Sequence, residues 1–211
     1  MSKLPRLLVA TTLTALVFPA SWPPPAAAQE GFAGLCAVLL HQEQTELEDL
    51  ALTAQQDQTR LGAAEEIFML LDELWHNDLV ERLPYLGVKH RRDVAALTLE
   101  RTRQQEARQL AVLEQYRLAC SVPSEQGQAA GNGGTIREAE RYRAADCEVR
   151  TLDVAMFEVD LEYQQELLRS ALSLRQNDVA SRQQVLFAER DVELTQEELG
   201  LARRRAAACR Q

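Results

Sequence analysis

The sequence predicts an all-α fold, built as two tandem antiparallel helical hairpins that form an elongated, coiled-coil-like four-helix bundle. Three observations carry this expectation. Val185, Ala188, Val192, Leu199, Ala202, Ala206 and Cys209 step by alternating threes and fours, broken only at Thr195, and such a seam needs a partner helix. The stretch before it, from Thr135 to Leu174, supplies one across a turn at Gln176-Asn177-Asp178, and a similar arrangement occurs upstream. No segment alternates with period two for long enough to form a strand.

The first 28 residues read as a secretory signal, outside the fold. Lys3 and Arg6 precede an apolar run from Leu7 to Phe18, and Ala26-Ala27-Ala28 gives the small-residue pattern of a cleavage site near Gln29. That run falls short of the roughly 20 apolar residues a membrane-spanning helix needs, and no later run reaches that length, so no integral span is expected after cleavage. Periplasm or secretion is the expected destination. Cys36 follows Leu35 rather than a small residue, which speaks against a lipidated cysteine. Without residues 1–28 the formal net charge moves from −9 to −11, because that segment carries Lys3 and Arg6 and no acid; a nucleic-acid binder carries the opposite sign.

Residues 29–120 read as the first hairpin. Its first helix is expected from Phe32 to Trp75, a seam of about 60 Å running through Cys36, Leu40, Leu47, Leu50, Ala54, Leu61, Ala64, Phe68, Leu71 and Trp75, with Glu43 and Asp57 as charged breaks. Pro84-Tyr85-Leu86-Gly87 is expected to end the first arm and its turn. A second helix then runs from Lys89 to Cys120, with Val94, Leu97, Leu110 and Leu113 inward; its polar middle, Arg101 to Arg108, is expected to be the softest part of the bundle.

Residues 121–134 are Gly- and Ser-punctuated and read as a flexible linker. Thr135-Ile136-Arg137-Glu138 has the form of a capping box, so the second hairpin is expected over 135–211. Val149, Leu152, Met156 and Val159 on one track, with Val154, Phe157, Leu161 and Leu168 on another, give its first helix contacts on two sides. Arg203-Arg204-Arg205 suits the carbonyl end of its second helix.

Four cysteines permit three pairings. Cys147 and Cys209 each stand 31 residues from Asp178, which favours joining them across the open end of the second hairpin and leaves Cys36 with Cys120. Such bonds suit an oxidising compartment. There is no C-x-x-C and no zinc-type Cys/His spacing. Glu73-x-x-His76 is one half of a di-iron motif, but neither His41 nor His90 has a glutamate three residues before it, so His76 reads as a helix-end residue. The acids Glu43, Glu46, Glu48 and Asp49 read as a solvated helix face. No metal, cofactor or catalytic set is expected, and the chain reads as a non-enzyme.

Gly87 to Val94 aligns with Asp178 to Val185 at a spacing of 91 residues, each followed by a helix ending in a cysteine, which reads as an internal duplication. These turns resemble the periplasmic hairpin tips of the TolC-type outer-membrane efflux family, which show Gly, a hydroxyl residue three positions on, Asp-Val or a similar pair three further, then Leu-x-Ala. The first copy keeps Gly87, Asp93 and Val94 with His90 in the hydroxyl position; the second keeps Ser181, Val185, Leu186 and Ala188 with Asp178 in place of Gly. The family also threads membrane strands of about 9–11 residues between its helices, for which residues 121–134 have no room, so the resemblance implies the hairpins without the barrel. It implies protein partners in the cell envelope, such as efflux or secretion components, and a homo-oligomeric assembly. The candidate partner-binding tip residues are Trp75, Tyr85, Gly87, Asp93, Val94, Asp178, Ser181 and Val185. A second resemblance lies in Leu52-Thr53-Ala54-Gln55-Gln56, which fits the L-T-x-x-Q pattern of the Spy-type periplasmic chaperones and metal-stress proteins.

Overall fold

The computed structural model describes residues 26–121 and 128–210. It contains four long helices, α1 (Ala26–His76), α2 (Arg82–Cys120), α3 (Gln128–Gln176) and α4 (Arg182–Ala207), and a short 3-10 turn at Ala208–Arg210. There is no strand among the described residues, and the all-α, four-helix expectation holds. Of the expected signal segment, residues 1–25 lie outside the described residues, while 26–28 open α1. Of the expected linker, 122–127 lie outside them; Gln128–Gly134 is helical. A helix already nucleated gains one hydrogen bond for each residue it extends, which carries α3 back through these glycines. Thr135 is therefore inside α3, and its expected capping box does not start a helix.

The two hairpin turns are copies of one another. In the first, the N–H of Asp78 donates to the Trp75 carbonyl (3.0 Å) and that of Leu79 to Leu74 (2.9 Å); in the second, Asp178 donates to Arg175 (3.0 Å) and Val179 to Leu174 (2.9 Å). Asp78 and Asp178 both hold the left-handed conformation, with φ of 57° and 58°. This is a Schellman helix end with aspartate at the position usually taken by glycine. The preceding Asn77 and Asn177 side-chain amides donate to the Glu73 and Ser173 carbonyls, at 2.8 and 3.1 Å, and so occupy further carbonyls that the helix end leaves free.

The duplication therefore runs at 100 residues, Leu74-x-x-Asn77-Asp78-Leu79 against Leu174-x-x-Asn177-Asp178-Val179, and the 91-residue alignment is corrected. α2 starts at Arg82, not Lys89, because Pro84 sits in the first helical turn, where its missing N–H breaks no hydrogen bond. Gly87, Asp93 and Val94 thus belong to the body of α2 and not to a turn.

Centred on these turns, both hairpins are symmetric. The disulfide Cys36–Cys120 joins residues each 42 positions from Asp78, and Cys147–Cys209 joins residues each 31 from Asp178, with Cα–Cα distances of 5.8 and 5.6 Å. The breaks in the seams are satisfied where they stand. Asp57 is buried and accepts from Thr102 Oγ1 (2.8 Å) and Arg60 Nη1 (3.1 Å); Glu43 accepts from Gln109 Nε2 (2.5 Å); the buried Thr195 donates to the Asp191 carbonyl (2.9 Å).

The hairpins meet along α2 and α3 through a charged ladder. Arg82 pairs with Glu166 (2.8 Å), His90 with Asp160 (2.7 Å), Arg101 with Asp153 (2.7 Å) and Arg108 with Asp146 (3.0 Å). The polar stretch from Arg101 to Arg108, expected to be soft, is thus tied to both neighbours, to α3 by its arginines and to α1 by Thr102 and by Arg103, which donates to Gln58 (3.0 Å). Packing joins only consecutive helices, α1 with α2, α2 with α3 and α3 with α4; among the described residues α1 and α4 share no such interface and form the two edges of the bundle.

A Cβ added at Gly87 would lie 3.5 Å from the Tyr163 hydroxyl, an ordinary contact, and the backbone there is not left-handed. Gly87→Ala is therefore expected to raise unfolding free energy by about 0.5–1 kcal/mol through helix propensity alone, read as a higher urea midpoint; a lower midpoint would show that Gly87 is needed for close packing of α2 on α3.

Candidate functional site

Of the candidate tip residues, Asp178 and Ser181 stand in a turn or at its helix cap, Trp75, Tyr85 and Val185 lie at the helix ends beside the turns, and Gly87, Asp93 and Val94 lie further along α2. At the first tip, Trp75 stacks on Tyr85 with ring centroids 5.1 Å apart, and Phe68 lies 5.8 Å from the same ring. The Arg92 guanidinium covers Phe68 at 4.0 Å and donates through Nε to Asp93 (2.8 Å), which also pairs with Lys89 (3.2 Å). The Tyr85 hydroxyl donates to Asp72 (2.9 Å). Trp75, Tyr85 and Asp93 thus form a cross-braced collar that ties α1 to α2 behind the turn. Val94 is half-buried further along α2.

At the second tip, Ser181 and Gln184 form a full capping box. The Ser181 hydroxyl accepts from the Gln184 N–H (3.2 Å), and the Ser181 N–H donates to Gln184 Oε1 (2.7 Å). Val185 is buried beneath it. Asp178 makes the turn. The first tip has no equivalent cap, since Glu81 stands where Ser181 does and makes no capping bond.

What the tips offer outward is a pair of residues that sequence reasoning passed over. Leu79 and Val179 are equivalent in the duplication and stand 71 % and 70 % exposed, each directly after the left-handed aspartate. The signal was present in the repeated Asn-Asp-aliphatic triplet, but an aliphatic residue after a helix reads as core. Exposed Leu172 and Leu174 extend the apolar surface of the second tip, and Leu83 that of the first.

Both tips point to the same end of the molecule, because the four helices alternate in direction. Arg82, four residues past Asp78, faces Glu166, twelve residues before Asp178. At 1.5 Å per residue the rungs from Arg82–Glu166 to Arg108–Asp146 set the second tip about 3–12 Å beyond the first.

The remaining candidate chemistry is local. The His76 Nδ1 lies 2.7 Å from the Asp72 carbonyl at the end of α1. Glu46 and Glu48 accept from Gln42 and Gln44 along the same helix. Thr53, of the L-T-x-x-Q pentapeptide, donates to the Asp49 carbonyl (2.8 Å) in the middle of α1 and starts no helix. Among the described residues no three His, Cys, Asp or Glu side chains converge as metal ligands would.

Burial and, after it, the Asp72 carboxylate hold the Tyr85 phenol above its ordinary value. A raised phenol pKa means that the fold prefers the neutral hydroxyl, so the associated stability is present below the unfolded pKa of about 10 and is lost as pH rises through the folded value. Tyr85→Phe is expected to cost about 1 kcal/mol near neutral pH through the lost hydrogen bond and to remove this alkaline loss. Denaturant midpoints measured from neutral to strongly alkaline pH check this; an unchanged alkaline slope in the variant would assign the loss to other groups.

Comparison of the chain with family models, with curated proteins and with solved structures finds no match, so what the tips do is argued from their geometry.

Proposed function

We propose that this chain is an exported, non-enzymatic helical protein of the bacterial cell envelope that engages protein partners through its two hairpin tips, as an accessory of an efflux or secretion assembly. The observation that carries this is the paired tip. Two identical turns on two disulfide-closed arms hold Leu79 and Val179 outward at the same end. An aliphatic side chain held in water by a rigid turn costs free energy in the isolated chain, which burial against a partner recovers. Closed arms also lower the ordering cost of capture, because the contact residues are already in place.

Export is supported by the charged-then-apolar start with its Ala26-Ala27-Ala28 site and by two disulfides that close both hairpins. The link to efflux or secretion rests on the resemblance of the turns to TolC-type hairpins. At the corrected register that resemblance is carried by the second hairpin, where Ser181, Val185, Leu186 and Ala188 follow the turn. The chaperone alternative of the Spy type has less behind it, since Thr53 lacks the helix-starting role that the pattern implies.

Placing a photo-reactive side chain at 79 or 179 in the exported protein in cells is expected to yield adducts with the same discrete envelope protein from both tips. The double variant Leu79→Asp, Val179→Asp should abolish capture from flanking tip positions while circular dichroism reports unchanged helicity. Suppression of aggregation of an unfolded client by the wild-type protein, unaffected by that double variant and with no tip adduct, would instead favour the chaperone.

A further inference from the structure

We propose that the second tip docks on an anionic phospholipid surface, with Leu174 and Val179 entering the headgroup layer and Arg175 and Arg182 set against lipid phosphates. This contact goes beyond protein capture and does not depend on it. An envelope protein reached from both tips is then one seated in the same membrane.

The duplication allows the two tips to be compared position by position. Across residues 69–88 the first tip carries Asp72, Glu73, Asp78 and Glu81 against Arg82, a net charge of −3. The equivalent residues 169–188 carry Arg169, Arg175 and Arg182 against Asp178, a net charge of +2. Leu172, Ser173 and Ser181 stand where the first tip has Asp72, Glu73 and Glu81, and Arg175 stands where it has Trp75. Turns of one backbone geometry thus end in surfaces of opposite sign. Arg169 shares Glu166 with Arg82, whereas Arg175 and Arg182 make no ion pair among the described residues. Leu172, Leu174 and Val179 are exposed beside them.

Aliphatic side chains at an apex with arginines around them match the layering of a bilayer. The apolar groups leave water for the acyl boundary, while the guanidinium groups stay with the phosphates, whose oxygens their forked N–H donors fit. The step between the tips fits a flat surface. With the second tip about 3–12 Å in front, a plane meets the cationic tip first. The acids of the first tip stay back by a distance comparable to the screening length of about 8 Å at physiological salt. A folded acidic protein would have to be contoured to that step, and a bilayer surface would not. The other arginine cluster, Arg203 to Arg205, is differently placed: Arg203 is paired with Glu158 (2.8 Å), and Glu197 and Glu198 precede the cluster on the same helix.

The mature chain is mixed with vesicles of phosphatidylglycerol in phosphatidylcholine, or of phosphatidylcholine alone, and bound protein is read by co-sedimentation. Binding is expected to the anionic vesicles only and is expected to weaken with salt. Arg175→Gln and Arg182→Gln should each lower the partition coefficient about fivefold. In Val179→Trp, brominated lipid should quench fluorescence that it leaves unchanged in the unaltered chain, whose Trp75 lies on the first tip. Equal binding to both vesicle types, or binding to neither, would overturn the proposal. So would binding that survives both arginine changes and is lost in Arg203→Gln, Arg204→Gln, Arg205→Gln, because the contact would then lie at the open end. No vesicle binding, combined with loss of the photo-adduct from 179 in Arg175→Gln, would overturn it in favour of an acidic protein surface. Vesicle binding as expected with no photo-adduct in cells would sustain it and remove the protein-capture reading instead. Circular dichroism of each variant separates lost binding from lost folding.

Discussion

The residue on which the fold's geometry depends is the left-handed aspartate that closes each hairpin. With Asp78 and Asp178 in that conformation, the chain reverses in a few residues and the two arms return side by side. The position of the reversal sets which residues stand level, and hence that Cys36 can meet Cys120 and Cys147 can meet Cys209. A turn displaced by one residue would shift one arm against the other by about 3 Å along the axis and rotate every seam residue about 100° away from its partner. Aspartate tolerates the left-handed region better than most residues, and the asparagine before it takes up a free helix carbonyl. Two short side chains thus determine the register of two arms many turns long.

Between the hairpins the chemistry changes. Each arm is joined to its partner by an apolar seam and a disulfide, whereas α2 and α3, with no covalent link, add a row of arginine-to-carboxylate and histidine-to-carboxylate pairs to their packing, which includes the stack of His90 on Tyr163. Partly exposed pairs of this kind contribute about 0–1 kcal/mol each, while a disulfide closing a long loop contributes about 2–4 kcal/mol. Directional pairs set which faces meet without adding apolar surface that would have to be covered when the faces part.

Sequence periodicity disclosed the seams, because a three-four step is a direct consequence of helix geometry and survives a charged interruption. Asp57 and Thr195 show why. Each is buried in the seam yet supplied with a hydrogen-bond partner nearby, so the pattern around it continues. The level pairing of Cys147 with Cys209 was legible for the same geometric reason. The register of the duplication was not, because Pro84 and Gly87 draw the eye as turn residues while Asn77-Asp78 carries the turn. A proline in the first helical turn breaks no hydrogen bond, and Gly87 sits within α2 with an ordinary helical backbone and makes no turn. Leu79 and Val179 were passed over because hydrophobicity alone does not say which way a residue beyond a helix end points. The charged ladder was illegible in principle, since it joins residues far apart in sequence whose alignment depends on the corrected turns.

A single layer of helices has a further consequence for where function can reside. With packing only between consecutive helices, every helix keeps a face without an intramolecular neighbour, and no large side chain among the described residues is fully buried. Small residues at the closest approaches, Ala111, Ala145 and Ala202, let the arms pack with little apolar area enclosed. What the layer does offer is length, rigidity and displayed side chains at fixed spacing. The outward residues of α1 and α4 follow the same duplication as the inward ones, so whatever covers them must respect the register that Asp78 and Asp178 impose. A surface with the period of a coiled coil is best complemented by a helix of that same period.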